Sequence, residues 1–285
     1  MIVAQFQYEM PWAVAPDTRI EDARKLMTTN RLRHLPVVDG DRVVGMLSDH
    51  DVLAELARAR AWMRDPPASG AAPPPVRETV GEIMATPAHT TRRETPISDA
   101  ISTMIEQRIS ALPVVDLEGL SGIVTTTNFL WWYRDYAIQN PAHAAATLVS
   151  DHMAGDPATA ERSADVGAIA LIMSDRRVSH VPIVDGRRLV GIVSERDIVR
   201  ETGRMPSEWR GVHAADDPAG SGATAADIMT ARPHTTTPGE TVGVAAGAMA
   251  EHKVGALPVV EGDTLVGVIS VTDVIKLVRE LAGGD

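Results

Sequence analysis

The stretch His34-Leu35-Pro36-Val37-Val38-Asp39-Gly40, continued by Val43-Val44-Gly45-Met46-Leu47-Ser48, recurs three more times in the 285 residues. Ala111-Leu112-Pro113-Val114-Val115-Asp116 leads to Leu120-Ser121-Gly122-Ile123-Val124-Thr125, and His180-Val181-Pro182-Ile183-Val184-Asp185-Gly186 to Leu189-Val190-Gly191-Ile192-Val193-Ser194. Ala256-Leu257-Pro258-Val259-Val260-Glu261-Gly262 leads to Leu265-Val266-Gly267-Val268-Ile269-Ser270. Each copy reads as two β-branched runs joined by a tight Gly-containing turn, a hairpin. The repeated prolines, Pro36, Pro113, Pro182 and Pro258, are spaced by 77, 69 and 76 residues. Pro36 and Pro182 lie 146 residues apart, Pro113 and Pro258 lie 145, and Trp62 and Trp209 lie 147, so a two-repeat module is duplicated. Repetition of this kind means that each unit buries its apolar face against a neighbour.

Around each hairpin the order is constant. An Ile-Met or His-Met dipeptide (Ile83-Met84, His152-Met153, Ile228-Met229) and a Thr-rich extended stretch come first. A helix follows, as over 20–28, where Ile20, Ala23, Leu26 and Met27 fall at helical spacing. Met27, Met104, Met173 and Met249 recur at the end of that helix and read as core. A last helix begins near Asp51, Asn128, Asp197 or Asp273. One β-α-β-β-α unit leaves a sheet face bare, and two packed sheet to sheet cover it.

These residues carry a resemblance to the CBS-domain family. The chain resembles a four-copy CBS-domain protein, with repeats at about 8–58, 78–134, 147–201 and 224–282, each pair forming a Bateman module. The expected fold class is α+β, with sheets packed within each module and helices outside. The expected organisation is a first module over 1–134, a connector over 135–150 and a second module over 151–285.

Composition narrows the function classes. Hydrophobic content of 44% with 23% charged residues is that of an ordinary globular chain. There is no cysteine, hence no thiolate nucleophile, disulfide or Cys-based metal site. A net charge of −11 opposes binding to nucleic acid or an anionic membrane. Met1 to Met10 lacks the pattern of a signal peptide and no apolar run reaches membrane-spanning length, so a cytoplasmic location with no membrane insertion is expected. The nine histidines show no i, i+4 pair, and no metal site is expected. No catalytic motif is present. Pro/Ala/Gly-rich linkers are expected over 65–76 and 203–223.

The turn before each last helix is the strongest candidate for chemistry: Ser48-Asp49-His50-Asp51, Thr125-Thr126-Thr127-Asn128, Ser194-Glu195-Arg196-Asp197 and Ser270-Val271-Thr272-Asp273. A carboxylate there can accept from both ribose hydroxyls, while hydroxyls and free N–H groups at a helix start suit a phosphate. The same residue types are also favoured helix caps. The family resemblance implies ribose binding by Asp273, Asp197 and Asp51, in that order, with Asn128 departing most. It implies phosphate binding by Ser270, Thr272, Ser194, Arg196 and Ser48. By position it places a base pocket at Val254, Gly255, His234, Val178, Ser179 and Ala158, although the valines read first as core. Arg33-His34, Arg176-Arg177 and His252-Lys253 are either phosphate-sensing or solvated cations.

Five of the ten aromatic residues lie in Phe129-Leu130-Trp131-Trp132-Tyr133-Arg134-Asp135-Tyr136. That cluster serves either packing between the modules of one chain or an interface with a second chain or partner. The resemblance implies a stand-alone, non-catalytic sensor. It would bind AMP, ADP, ATP or S-adenosylmethionine as regulatory ligand, with no catalytic cofactor, and switch the arrangement of its modules to regulate a separate protein, as a four-repeat disc or a homodimer. The alternative is an interaction scaffold with degenerate, empty sites.

Overall fold

The computed structural model describes residues 1–64, 77–209 and 222–283. The expected linker over 65–76 falls outside them, as do residues 210–221 of the second linker and the side chains of Trp62 and Trp209.

Repeat one contains β1 (Tyr8–Glu9), α1 (Ile20–Asn30), the hairpin β2 (His34–Asp39) and β3 (Arg42–Ser48), and α2 (Asp49–Arg64). Repeat two has α3 (Ile97–Gln107), β4 (Ala111–Asp116), β5 (Gly119–Thr125) and α4 (Thr126–Gln139). The connector is largely helical, with α5 (Pro141–Ala146) and α6 (Val149–His152). Repeat three follows as β6 (Ala160–Glu161), α7 (Val166–Arg176), β7 (His180–Asp185), β8 (Arg188–Ser194) and α8 (Glu195–Thr202). Repeat four is α9 (Ala225–Ile228), β9 (Thr230–Ala231), α10 (Val242–His252), β10 (Ala256–Glu261), β11 (Thr264–Ser270) and α11 (Val271–Leu281).

The four hairpins share one register, with Pro36 opposite Met46, Pro113 opposite Ile123, Pro182 opposite Ile192 and Pro258 opposite Val268. A proline is tolerated here because the Thr-rich stretch joins the strand in a short parallel ladder that begins at the proline carbonyl. Val14, Thr91 and Thr236 donate their N–H groups to the carbonyls of Pro36, Pro113 and Pro258 at 3.1, 2.9 and 3.0 Å. The missing proline N–H falls at the start of that ladder, where a donor is not needed.

The segment leading each repeat crosses to the sheet of the paired repeat. β1 of repeat one pairs with β5 of repeat two, and Ala85 of repeat two bridges Met46 of repeat one. In the other module Ala154 bridges Val268, and β9 pairs with β8. The Met of the repeated dipeptide lies across the strand glycine of its partner. A Cβ on Gly45, Gly191 or Gly267 would collide with the side chain of Met84, Met229 or Met153. This exchange makes the repeats inseparable in pairs, one with two and three with four.

The helices lie outside the sheets of each module, on the faces where the two modules meet. α2 packs on α8, while α4 packs on α10 and α11. Phe129, Leu130 and Tyr133 share one buried cluster with Val242, Ala245, Met249, Val274 and Val278, so the aromatic run packs between modules of one chain. Gly243 and Gly247 let α4 approach closely, since a Cβ at either would meet Ala137 or the stem of Arg134. Trp131 and Trp132 lie at the edge of the cluster, Trp131 under the Arg134 guanidinium at 4.2 Å. The repeated methionines, Met27, Met104, Met173 and Met249, are all buried.

Repeat one departs from the crossing rule in one side chain. Where the others place Met84, Met153 and Met229, it has Gln7, whose amide carbon lies 3.0 Å from the Cβ position of Gly122. Both polar atoms of that amide are buried without a partner among the described residues. Unsatisfied buried groups cost about 1–3 kcal/mol. Gln7→Met should therefore raise the melting temperature by several degrees, read by calorimetry. An unchanged or lower value would mean the amide is solvated in solution.

Candidate functional site

Each last helix starts in a capping box, and the candidate ribose residue holds its N3 position, three residues after the cap. Asp51 accepts from the Ser48 N–H at 2.7 Å and hydroxyl at 2.6 Å. Asp197 accepts from Ser194 at 2.9 and 2.6 Å, and Asp273 from Ser270 at 2.9 and 2.6 Å. Asn128 serves the same purpose with its amide oxygen, at 2.8 and 2.7 Å from Thr125. Capping is thus realised in all four repeats, and in each acid it engages a single carboxylate oxygen, Oδ2.

The second oxygen is where the copies differ. Asp197 Oδ1 accepts from Arg200 at 2.9 Å, and Asp273 Oδ1 lies 3.7 Å from Lys276. Asp51 Oδ1 has no hydrogen-bond partner among the described residues, and burial pushes its carboxyl upward against the two bonds from Ser48. Thr272 is exposed. Arg196 reaches across to repeat one, donating to Asp49 at 2.6 Å, so this cation ties the modules together as well as lying beside a cap turn.

The structure joins each cap turn to the expected base seat. The first residue of each last helix donates its N–H to the carbonyl of the residue immediately before the first hairpin strand. These bonds run Asp49 to Arg33, Thr126 to Ser110, Glu195 to Ser179 and Val271 to Gly255, at 2.9, 2.9, 2.9 and 3.0 Å. Val178 and Val254 are half-buried beside them, as is Ala158 on the extended stretch. His234, at the matching position of repeat four, is exposed and stacks on His252 with ring centroids 3.7 Å apart.

Within each module the base seats of the paired repeats face one another. Ser110 Oγ lies 3.0 Å from His34 Nε2. In the second module any Cβ on Gly255 would collide with the His180 ring, which explains the glycine. Sequence reasoning named His34 only with Arg33, as phosphate-sensing or solvated, and passed over His180, though their recurrence at one position in repeats one and three was a signal. Desolvation pushes both imidazoles from 6.5 down to about 4, with Arg33, His50 and Arg196 adding like charge, and Asp49 (for His34) or Asp197 (for His180) opposing. Burial lowers His50 as well.

Two cavities lie near these elements. One of about 810 Å³ lies between the modules, bounded by α1, α2, α8 and the end of α10, and lined by six cationic side chains. The other, about 370 Å³, lies beside Thr91, Arg92 and Asp99 and takes no residue from a cap turn. Among the described residues no group of His, Cys, Asp or Glu could hold a metal ion, and no helix is long and apolar enough to cross a membrane.

Paired β-α-β-β-α repeats with exchanged leader strands and capped last helices define a class of tandem repeat modules. The chain belongs to the CBS-domain family, whose model matches residues 9–58, 80–135, 149–203 and 225–280. It is 25% identical over 271 residues to the uncharacterized protein MJ1225 of Methanocaldococcus jannaschii, covering 92% of this chain and 93% of that one. The crystal structure of MJ1225 matches with a TM-score of 0.72, 23% identity and coverage of 98% and 100%. An uncharacterized conserved protein from Pyrococcus horikoshii matches with a TM-score of 0.61 and 20% identity, over 97% of this chain and 99% of that one. L-aspartate semialdehyde sulfurtransferase of M. jannaschii is 33% identical over 123 residues, which span 42% of this chain and 22% of that enzyme.

The imidazoles give the fold a pH dependence of definite sign. An unfolded histidine titrates near 6.5, while His34 and His180 do so near 4. Between those values the unfolded chain binds more protons, so stability falls as pH drops from 6.5 towards 4. Melting temperatures across this window should decline with acid, and the slope should flatten in His34→Gln/His180→Gln. An equal slope in that variant would assign the effect to other groups.

Proposed function

We propose that the protein is a non-catalytic regulatory sensor of adenosine-containing ligands (AMP, ADP, ATP or S-adenosylmethionine), bound in the clefts between paired repeats. The reading rests chiefly on the four hydrogen bonds, 2.9 to 3.0 Å, that lock each cap turn to its base seat. They bring a carboxylate or amide, a hydroxyl, helix N–H groups and a backbone carbonyl within the span of a nucleoside. Ribose hydroxyls would go to Asp51, Asp197 and Asp273. Phosphate would go to Ser48, Ser194, Ser270 and Thr272 with Arg196, and the base would lie on Val178, Ser179, Ala158, Val254, Gly255 and His234. Asp51, with an uncommitted oxygen, is the best placed of the three acids.

Family membership supports this reading, and the M. jannaschii protein of similar length is described as a candidate archaeal homologue of γ-AMPK. Regulation would follow from differential affinity. A ligand that prefers one arrangement of the modules shifts the population towards it, and one that binds both equally shifts nothing. The Arg196–Asp49 bridge is the contact best placed to change, because it joins a cap turn of one module to a cap turn of the other. The regulated partner is a separate protein, the location cytoplasmic, and the division into modules over 1–134 and 151–285 with a 135–150 connector is the unit of movement. The scaffold reading retains support in repeat two alone, where Asn128 completes the cap with an amide.

Asn128 also supplies the test. An amide oxygen caps as well as a carboxylate, so Asp→Asn at 51, 197 or 273 removes ribose recognition and leaves the helix start intact. A ligand at about 100 times its dissociation constant adds about 2.7 kcal/mol of stability per site. Thermal titration with the four ligands should show a clear shift for wild type, reduced in each variant while the unliganded melting temperature holds. Flat curves for all four ligands in the wild-type chain would leave the scaffold reading in place.

A further inference from the structure

The smaller cavity, about 370 Å³, lies where repeat two lacks a side chain that repeat four supplies. The two repeats correspond by a shift of 145 residues, the spacing of Pro113 and Pro258. In both, a threonine donates its N–H to the carbonyl of that proline, Thr91 at 2.9 Å and Thr236 at 3.0 Å. Both threonines are buried, with exposures of 8% and 3%. Thr236 donates its hydroxyl to the carboxylate of Glu240. The residue at the position of Glu240 in repeat two is Thr95, whose hydroxyl accepts from the Arg92 N–H at 3.2 Å. The Thr91 hydroxyl has no hydrogen-bond partner among the described residues, and Thr91 lines the cavity. A buried hydroxyl without a partner is costly, so the site favours whatever provides one. Repeats one and three avoid the need, with Val14 and Ala160 at this position.

The walls differ in charge as well. Repeat two places Arg92 and Asp99 on the cavity, where repeat four has Thr237 and Val244. The repeat that carries its own carboxylate thus lacks both charged groups, and the repeat without it has both. Neither Arg92 nor Asp99 has an ion-pair partner among the described residues. Asp99 Oδ1 accepts from Ser98 at 3.2 Å, and Oδ2 is uncommitted among the described residues. Ala100 and Val115 add an apolar patch. A cation beside hydroxyl donors suits a carboxylate, the group that Glu240 brings to Thr236. Asp99 opposes a bare carboxylate and suits an ammonium. An α-amino acid carries both groups on one carbon.

We propose that this cavity is a binding site for a small α-amino acid, its carboxylate on Thr91, Thr95 and Arg92 and its ammonium on Asp99. The ligand carboxylate takes the place that the Glu240 side chain takes in repeat four. The volume is at the lower end of the range for small-molecule sites, which restricts the amino acid to a short side chain. The site is separate from the nucleoside cleft of repeat two, since none of Ile109, Ser110, Thr125 and Asn128 lines it. It stands whether or not that cleft binds adenosine ligands.

Titration of the full chain with L-alanine, followed by NMR, tests this, with acetate and ethylamine as probes of the two charged groups. L-Alanine should bind, and either probe should bind at least about tenfold more weakly. Three variants introduce residues that repeat four carries at the same positions. Thr95→Glu restores an internal carboxylate and should abolish L-alanine binding, with an unliganded melting temperature equal to or above that of wild type. Arg92→Thr and Asp99→Val each remove one charged contact and should weaken L-alanine binding by at least about tenfold. No response of the wild-type chain to L-alanine, equal affinity in Thr95→Glu, or acetate binding as tightly as L-alanine would overturn the proposal. Unchanged affinity in Arg92→Thr and Asp99→Val would do the same, whatever Thr95→Glu does to folding.

Discussion

No repeat in this protein can complete its sheet alone, and the rest of the architecture depends on that constraint. The leader of each repeat is hydrogen-bonded into its partner, and the side chain preceding the crossing lies flat on a glycine that can be nothing larger. Met84 on Gly45, Met229 on Gly191 and Met153 on Gly267 are one contact made three times, with Gln7 on Gly122 as its polar variant. Fixed in this way, the hairpins present the same end to the module centre. There His34 meets Ser110, and His180 fills the space above Gly255. The facing pairs that could enclose a ligand are a by-product of how the sheets are closed.

The cap turns show how little separates stability from recognition. A helix start needs an acceptor, and one oxygen of Asp51, Asp197 or Asp273 supplies it. Repeat two meets that need with Asn128, so the extra oxygen in the other three is surplus to folding. In repeats three and four the surplus oxygen is met by Arg200 or Lys276, one turn along the same helix. These short-range pairs are partly exposed and individually weak. Another hydroxyl donor would compete with them at small cost.

Much of this was legible in the sequence because repetition averages out local ambiguity. The Pro-Val-Val runs, Gly turns and terminal Asp or Asn placed every hairpin and every last helix. The helix expected over 20–28 runs to Asn30, two residues further, because Arg31 takes the left-handed conformation that stops it. The reason for the strand glycines was not legible, since the side chain that requires each one comes from the other repeat. Arg196 read as a phosphate cation, and nothing nearby in sequence announced Asp49, 147 residues earlier, as its partner. The connector over 135–150 was expected only as a link between the modules, and it is mostly helix, since α4 continues to Gln139 and Pro141 opens α5. The cavity was hidden for the same reason: it exists only where the short side chains of α2 face α8 and the end of α10.

The exchanged leaders also set an order of assembly on the ribosome. β1, at residues 8 and 9, has its ladder partner in Gly122 and Ile123, more than a hundred residues downstream. A chain made from its N-terminus must hold that leader unpaired until the second hairpin has emerged, by which time the first hairpin is already complete. Long-range pairing of this kind is slow and leaves an open strand edge while it waits. The exposed side chains beside that edge, Tyr8, Met10 and Trp12, are the apolar surface such a nascent chain would offer to a chaperone or to a neighbouring copy.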